Sequence, residues 1–83
     1  MKKIIVTGGS GFIGSNLVDF LIKKNYFVIN LDKLAYSSNT YKNSLRNNKN
    51  YKLIKIDIKN KKKIIKIITR YKPKVIFNLA AET

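Results

Sequence analysis

Apolar residues occur in this chain in two alternating patterns, short β-branched runs and longer stretches with helical spacing. Lys3–Thr7 carries Ile4, Ile5 and Val6 in succession and reads as a first strand. Phe12–Lys24 follows, with Ile13, Leu17, Phe20 and Leu21 at i, i+4, i+7 and i+8, a spacing that predicts a helix burying that stripe. Phe27–Leu31 is a second strand and Tyr51–Asp57 a third. Asn60 stands where it can cap a helix over Lys61–Tyr71, whose apolar face is Ile64, Ile67, Ile68 and Tyr71. Lys61, Lys62 and Lys63 oppose the dipole in its first turn, so packing must hold that helix. Pro73 separates it from a fourth strand, Val75–Leu79. Residues 33–50 are polar and rich in Asn, Ser and Tyr, with a short helix expected near Thr40–Arg46. So long an irregular stretch inside an α/β unit is more often functional than idle.

Strands alternating with helices imply parallel βαβ units with right-handed crossovers and helices on both faces of the sheet. Val75, Ile76, Phe77 and Leu79 would be apolar on both faces, as in an interior parallel strand, yet the chain ends soon after, at Thr83. The expectation is therefore half of a doubly wound sheet.

Between the first strand and the first helix lie Gly8, Gly11 and Gly14, in the order strand, glycine turn, helix that seats a dinucleotide pyrophosphate. Gly8 permits the tight turn, Gly11 removes a Cβ that would keep backbone from phosphate, and Gly14 lets the helix lie close to the strand. The N–H groups and positive dipole end of the helix then face the anion. Asp32 ends the second strand eighteen residues beyond Gly14, near the ~20-residue offset at which a carboxylate bonds the adenosine ribose. That carboxylate would repel a 2′-phosphate, which favours NAD over NADP, with the adjacent Lys33 weakening the preference. Taken alone, Asp32 also reads as a turn residue. Together these features predict a Rossmann-type α/β fold in sheet order 3-2-1-4, with residues 1–83 as a partial NAD-binding domain lacking the remainder of the cofactor domain.

With no cysteine and no histidine, the chain has no disulfide framework, thiolate metal site, cysteine nucleophile or imidazole base. No apolar run approaches the ~20 residues of a membrane span, and the N-terminus leads into glycines, so the sequence reads as cytoplasmic. The net charge of +14 raises the alternative of a small basic module binding nucleotides or RNA without catalysis. Only two of the eighteen basic residues are Arg, however, and the Lys are spread through every segment beside ten Asn and thirteen Ile. That bias belongs to the whole chain more than to one binding face, and a nucleic-acid partner is not expected.

Three segments carry a resemblance: Val6-Thr7-Gly8-Gly9-Ser10-Gly11-Phe12-Ile13-Gly14-Ser15-Asn16, then Asn30-Leu31-Asp32-Lys33-Leu34 with Tyr36 and Asn39, then Asp57-Ile58 with Phe77-Asn78-Leu79-Ala80-Ala81-Glu82-Thr83. Over essentially the whole chain the sequence resembles the N-terminal portion of the dTDP-glucose 4,6-dehydratase family, extended short-chain dehydrogenases/reductases that act on nucleotide sugars. The resemblance implies that Phe12 and Ile13 offer backbone N–H groups to the pyrophosphate and that Asp32 holds the ribose. It implies that Lys33 and Leu34 line the adenosine side, that Asp57 and Ile58 flank adenine, and that Leu79, Ala80 and Ala81 run under the cofactor. Read without it, Asp57 is also a strand-ending or helix-capping residue, Ala80 and Ala81 small packed residues, and Tyr36 and Tyr41 loop anchors. Ala35 stands where the family commonly has threonine, and Ser37-Ser38 replace a small residue plus glycine.

By the same resemblance, the full-length enzyme would also have a sugar-nucleotide domain absent from residues 1–83, and would be a homodimer that oxidises the sugar at C4 with NAD, eliminates water between C5 and C6, and returns the hydride to C6, giving dTDP-4-keto-6-deoxyglucose. A nucleotide-sugar 4-epimerase or decarboxylase of the same superfamily is the alternative. The family's catalytic tyrosine and lysine lie downstream of the matched segment. Tyr51 and Lys55 do have Tyr-x-x-x-Lys spacing, but on a strand they would stand ~13 Å apart. No catalytic residue and no metal ligand is assigned.

Overall fold

The β-branched runs form the strands expected of them. In the computed structural model these are β1 (Lys3–Thr7), β2 (Phe27–Asp32), β3 (Tyr51–Lys55) and β4 (Val75–Asn78), with helices α1 (Phe12–Lys23) and α2 (Lys61–Tyr71). The structure describes residues 1–33 and 48–80. The helix expected near Thr40–Arg46 lies outside the described residues, as do Leu34, Ala35, Tyr36, Ser37, Ser38, Asn39, Tyr41, Ala81, Glu82 and Thr83.

All strand pairs are parallel and the sheet order is β3-β2-β1-β4, the order anticipated from the sequence. Alternate residues of each strand feed two cores. On one face Ile4, Val6 and Val28 pack with Val18 and Leu21 of α1. On the other, Ile5, Ile29, Leu31 and Ile56 meet Ile64, Ile67, Ile68 and Tyr71 of α2, the four residues assigned to its buried face. Each fully buried Val, Ile or Leu stabilises the fold by ~1.5–3 kcal/mol relative to exposure. The Asn60 carboxamide accepts from Lys63 N–H and caps α2, while Lys72 closes it in the left-handed conformation at φ 48.

Of the stripe Ile13, Leu17, Phe20 and Leu21, α1 buries Leu21 and packs Leu17 against the core, but leaves the other two open. Ile13 and Phe20 are 73% and 55% exposed, and the buried residues are Gly14, Ser15, Val18 and Leu21. Gly14 is the cause: lacking a Cβ, it lets the first turn press on the glycine loop, which rotates the helix about one residue from its most hydrophobic face. Lys24 Nζ covers part of the exposed Phe20 ring, 5.5 Å from its centroid. The third strand stops at Lys55, short of Asp57, because Asp57 turns away to accept from Lys59 N–H. The second strand runs one residue further, to Asp32, and the fourth ends at Asn78. As the order 3-2-1-4 and half of a doubly wound sheet require, β4 is a sheet edge, and its interior-type apolar residues are open, with Val75 and Ile76 41% and 44% exposed. Among the described residues no helix is long and apolar enough to cross a membrane.

Candidate functional site

The carboxyl ends of all four parallel strands lie along one edge of the sheet, where Thr7, Asp32, Lys55 and Asn78 end their strands. From β1 the sheet grows one way through β2 and β3 and the other way through β4. A crevice outside such a switch point is where doubly wound sheets place their ligands.

The glycine turn leaves β1 at that point. Gly8 adopts φ +73, and a Cβ there would stand 2.8 Å from Ala80 N, so both its dihedral and its contact with the chain after β4 demand glycine. A Cβ on Gly14 would collide with Gly8 O and come within 2.8 Å of Gly9 Cα. Gly11 differs: its φ of −77 and ψ of 177 suit any residue, and a Cβ would meet only Gly8 O at 3.5 Å. The protein itself does not need glycine at position 11. What the missing side chain leaves is open space before α1.

That helix opens with no side-chain cap. Its first intrahelical donor is Ser15 N–H, bonded to Gly11 O at 2.8 Å, and the N–H groups of Phe12, Ile13 and Gly14 meet no acceptor among the described residues. The Phe12 and Ile13 side chains are 81% and 73% exposed. Three N–H groups, a helix dipole and the room left by the missing Gly11 Cβ suit an anion such as pyrophosphate, so the residues present fit a dinucleotide.

β2 supports the turn from beneath. Val28, Asn30 and Asp32 alternate onto one face, and the last two reach the turn. Asp32 Oδ2 accepts from Ser10 N–H at 2.9 Å. Asn30, wholly buried, accepts from Gly9 N–H at 2.8 Å and donates to Ser10 Oγ at 3.1 Å and to the Tyr51 hydroxyl at 3.0 Å. On the β3 side, Lys33 Nζ lies 3.4 Å from Asp57 Oδ2. The Lys59 N–H and then Lys33 hold the Asp57 carboxyl below its ordinary value. Ile58 is half-buried in the turn that follows. On the β4 side, Thr7 Oγ1 donates to Asn78 Oδ1 and accepts from Ala80 N–H at 3.2 Å, which holds Leu79 and Ala80 beside Gly8.

Gly8, Gly11, Phe12, Ile13, Gly14 and Asp32 thus share one turn, Lys33, Asp57 and Ile58 cluster at the ends of β2 and β3, and Leu79 and Ala80 flank Gly8. Leu34 and Ala81 lie outside the described residues. Tyr51 and Lys55 sit on β3, as the strand reading required, and burial pushes the Tyr51 phenol up. Sequence reasoning missed Asn30, Tyr51 and Gly9 as parts of the turn. The available signal was a lone carboxamide inside the apolar run Phe27–Leu31.

A family model described as GDP-mannose 4,6 dehydratase matches residues 5–83. The dTDP-glucose 4,6-dehydratase of Haemophilus influenzae is 44% identical over 85 residues, covering 100% of this chain and 25% of that protein. The crystal structure of dTDP-glucose 4,6-dehydratase from Bacillus anthracis in complex with NAD superposes with a TM-score of 0.87 at 39% identity, covering 99% of this chain and 27% of the other. The UDP-glucose 4-epimerase of Thermotoga maritima, solved with UDP-glucose, gives 0.78 at 33% identity, covering 98% and 25%. The chain therefore spans about a quarter of the length of the curated relatives it matches. The resemblance to dTDP-glucose 4,6-dehydratases drawn from the sequence is what these comparisons find, and the match over residues 5–83 means that the chain belongs to the GDP-mannose 4,6 dehydratase family.

Proposed function

We propose that this chain holds the pyrophosphate and adenosine of NAD, as the cofactor-binding part of a nucleotide-sugar dehydratase acting on dTDP-glucose. The observation that carries the reading is the uncapped start of α1, where the Phe12, Ile13 and Gly14 N–H groups have no acceptor among the described residues and the preceding Gly11 leaves open space. A pyrophosphate there accepts those donors and meets the positive end of the helix. Asp32, fixed by Ser10 N–H, lies at the end of β2 where the ribose hydroxyls would bond. By the family resemblance, Lys33 would line the adenosine, Asp57 and Ile58 would flank adenine, and Leu79 and Ala80 would run toward the nicotinamide; Leu34 and Ala81, outside the described residues, are assigned the same roles as Lys33 and Ala80. NAD bound in this way supplies an acceptor for the sugar C4 hydride and its later donor to C6. None of the chain's own residues is assigned a proton transfer.

The NAD complex of the Bacillus anthracis relative and the 44% identity of the Haemophilus influenzae dehydratase support this reading. Likeness to the Thermotoga maritima enzyme supports a second one, a nucleotide-sugar 4-epimerase, at the lower identity of 33%. A homodimeric full-length enzyme, which rests on the family resemblance alone, and a cytoplasmic location, which rests on the reading of the sequence, belong to the same proposal. The test is equilibrium dialysis of the 83-residue chain against NAD, followed by an assay with dTDP-glucose. Weak NAD retention without 4-keto sugar is expected. No retention, or sugar turnover by this chain alone, overturns the reading.

A further inference from the structure

Four hydrogen-bonding groups meet inside the sheet face that carries α1, where the strand pattern alone would place hydrocarbon. Asn30 Oδ1 accepts from Gly9 N–H at 2.8 Å, and its Nδ2 donates to Ser10 Oγ at 3.1 Å and Tyr51 Oη at 3.0 Å. The carboxamide is 0% exposed, so no bulk water can replace a lost partner. Its neighbours on the same face are apolar: Val28 before it on β2 and Val6 on β1. A buried amide with both of its donor hydrogens and its oxygen used is specific in direction, and a half-satisfied one costs more than none.

Gly9 shows how close the grip is. A Cβ there would stand 2.5 Å from Asn30 Oδ1 and 2.7 Å from its Cγ, so glycine at this fourth position, outside the three-glycine motif, answers to Asn30. Ser10 is held twice, its N–H by Asp32 and its hydroxyl by Asn30. The held residues 9 and 10 immediately precede Gly11, behind which the Phe12, Ile13 and Gly14 N–H groups open.

We propose that Asn30, oriented by the Tyr51 hydroxyl, is the positioning residue of the anion-binding turn: it fixes Gly9 and Ser10 so that the N–H groups at the start of α1 keep one direction. This rests on the reading of that turn as the pyrophosphate site. Neither Asn30 nor Tyr51 touches the ligand; Tyr51 acts through Asn30, and Asn30 through Gly9 N–H and the Ser10 hydroxyl.

The test compares Tyr51→Phe and Asn30→Leu with the unsubstituted chain in three measurements: thermal midpoint, NAD affinity, and hydrogen exchange at the Gly9 amide with the Ile5 and Ile29 amides as core controls. Tyr51→Phe keeps the ring and removes only the hydroxyl. It leaves one Asn30 Nδ2–H without its partner, so it should stay folded but melt below the parent, and bind NAD about fivefold more weakly, the loss of one net hydrogen bond. Asn30→Leu should weaken NAD at least tenfold and speed exchange at Gly9 at least tenfold, with Ile5 and Ile29 unchanged. If both variants lose stability while NAD affinity and Gly9 exchange stay at parent values, the network is only structural and the proposal falls. If the unsubstituted chain binds no NAD, the cofactor reading fails separately, and the exchange data decide Asn30: faster exchange confined to Gly9 supports its hold on the turn, and unchanged exchange overturns it. Should Asn30→Leu not fold, Tyr51→Phe decides by the same criteria.

Discussion

Alanine at Gly11 and alanine at Gly14 should fail in opposite ways. At Gly11 the new methyl meets Gly8 O at 3.5 Å, an ordinary contact, and the φ of −77 needs no adjustment. Removing a glycine from the unfolded chain favours folding by ~0.4–1 kcal/mol, while alanine is a poorer N-cap than glycine by a similar amount, so stability should stay within ~1 kcal/mol of the parent. The methyl nevertheless occupies the open space before α1 through which, on the proposed reading, the pyrophosphate approaches the Phe12, Ile13 and Gly14 N–H groups. A hydrogen bond to a charged partner contributes ~1.5–3 kcal/mol, so displacing the pyrophosphate from even one donor should weaken NAD ~10- to 100-fold. At Gly14 the methyl collides with Gly8 O and lies 2.8 Å from Gly9 Cα, backbone atoms with no rotamer to yield. Overpacking of that kind costs ~1–3 kcal/mol, against a helix-propensity gain of ~1 kcal/mol or less, so Gly14→Ala should melt lower. Circular dichroism melts and calorimetric NAD titrations of the two variants make the comparison. A folded Gly11→Ala chain with parent affinity, or one less stable than Gly14→Ala, would refute the division of labour between these glycines.

Cofactor preference should follow Asp32. The parent chain should hold NAD more tightly than NADP, and Asp32→Ala should narrow the gap; calorimetry giving equal affinities in the parent removes the basis for a ribose-binding carboxylate. Tyr51 makes the fold sensitive to alkali. Burial above all, with the Asp32 and Asp19 carboxylates adding to it and the Asn30 donor opposing, raises its phenol above the unfolded value of 10.0. The folded chain then keeps a proton that the unfolded chain loses, so this contribution is intact below pH ~10 and is lost as pH rises through the folded value. Urea unfolding at rising pH should show that decline in the parent and less of it in Tyr51→Phe; identical slopes would contradict it. Finally, the β4 edge, with Val75, Ile76 and Leu79 each at least 40% exposed, should drive self-association, visible as a concentration-dependent mass in light scattering. A monomer at every concentration would show that edge to be inert.

Much of the architecture was legible because period and punctuation agree. The β-branched runs, the cap at Asn60 and the stop before Pro73 each point to one element, and α2 spans Lys61–Tyr71 as expected. The helix–sheet contact of α1 was legible less well. Hydrophobicity alone selects Ile13 and Phe20, whereas the orientation is set by how near Gly14 brings the backbone to Gly8, a tertiary fact with no periodic signature. The glycine motif and Asp32 announced the site through spacing. The support beneath it did not, because Asn30, Gly9 and Tyr51 come together only through the pairing of β2 with β3 and the path of the turn above them.

The most direct measurement is an NAD titration of the chain followed residue by residue through backbone amide resonances. Binding by the start of α1 predicts that the Phe12, Ile13 and Gly14 amides shift most and together, with one saturation curve, and that Gly11→Ala moves that curve to ~10- to 100-fold higher NAD. Largest shifts along the basic groove of Lys52, Lys66 and Arg70 between β3 and α2, or no saturable shift at all, would contradict it.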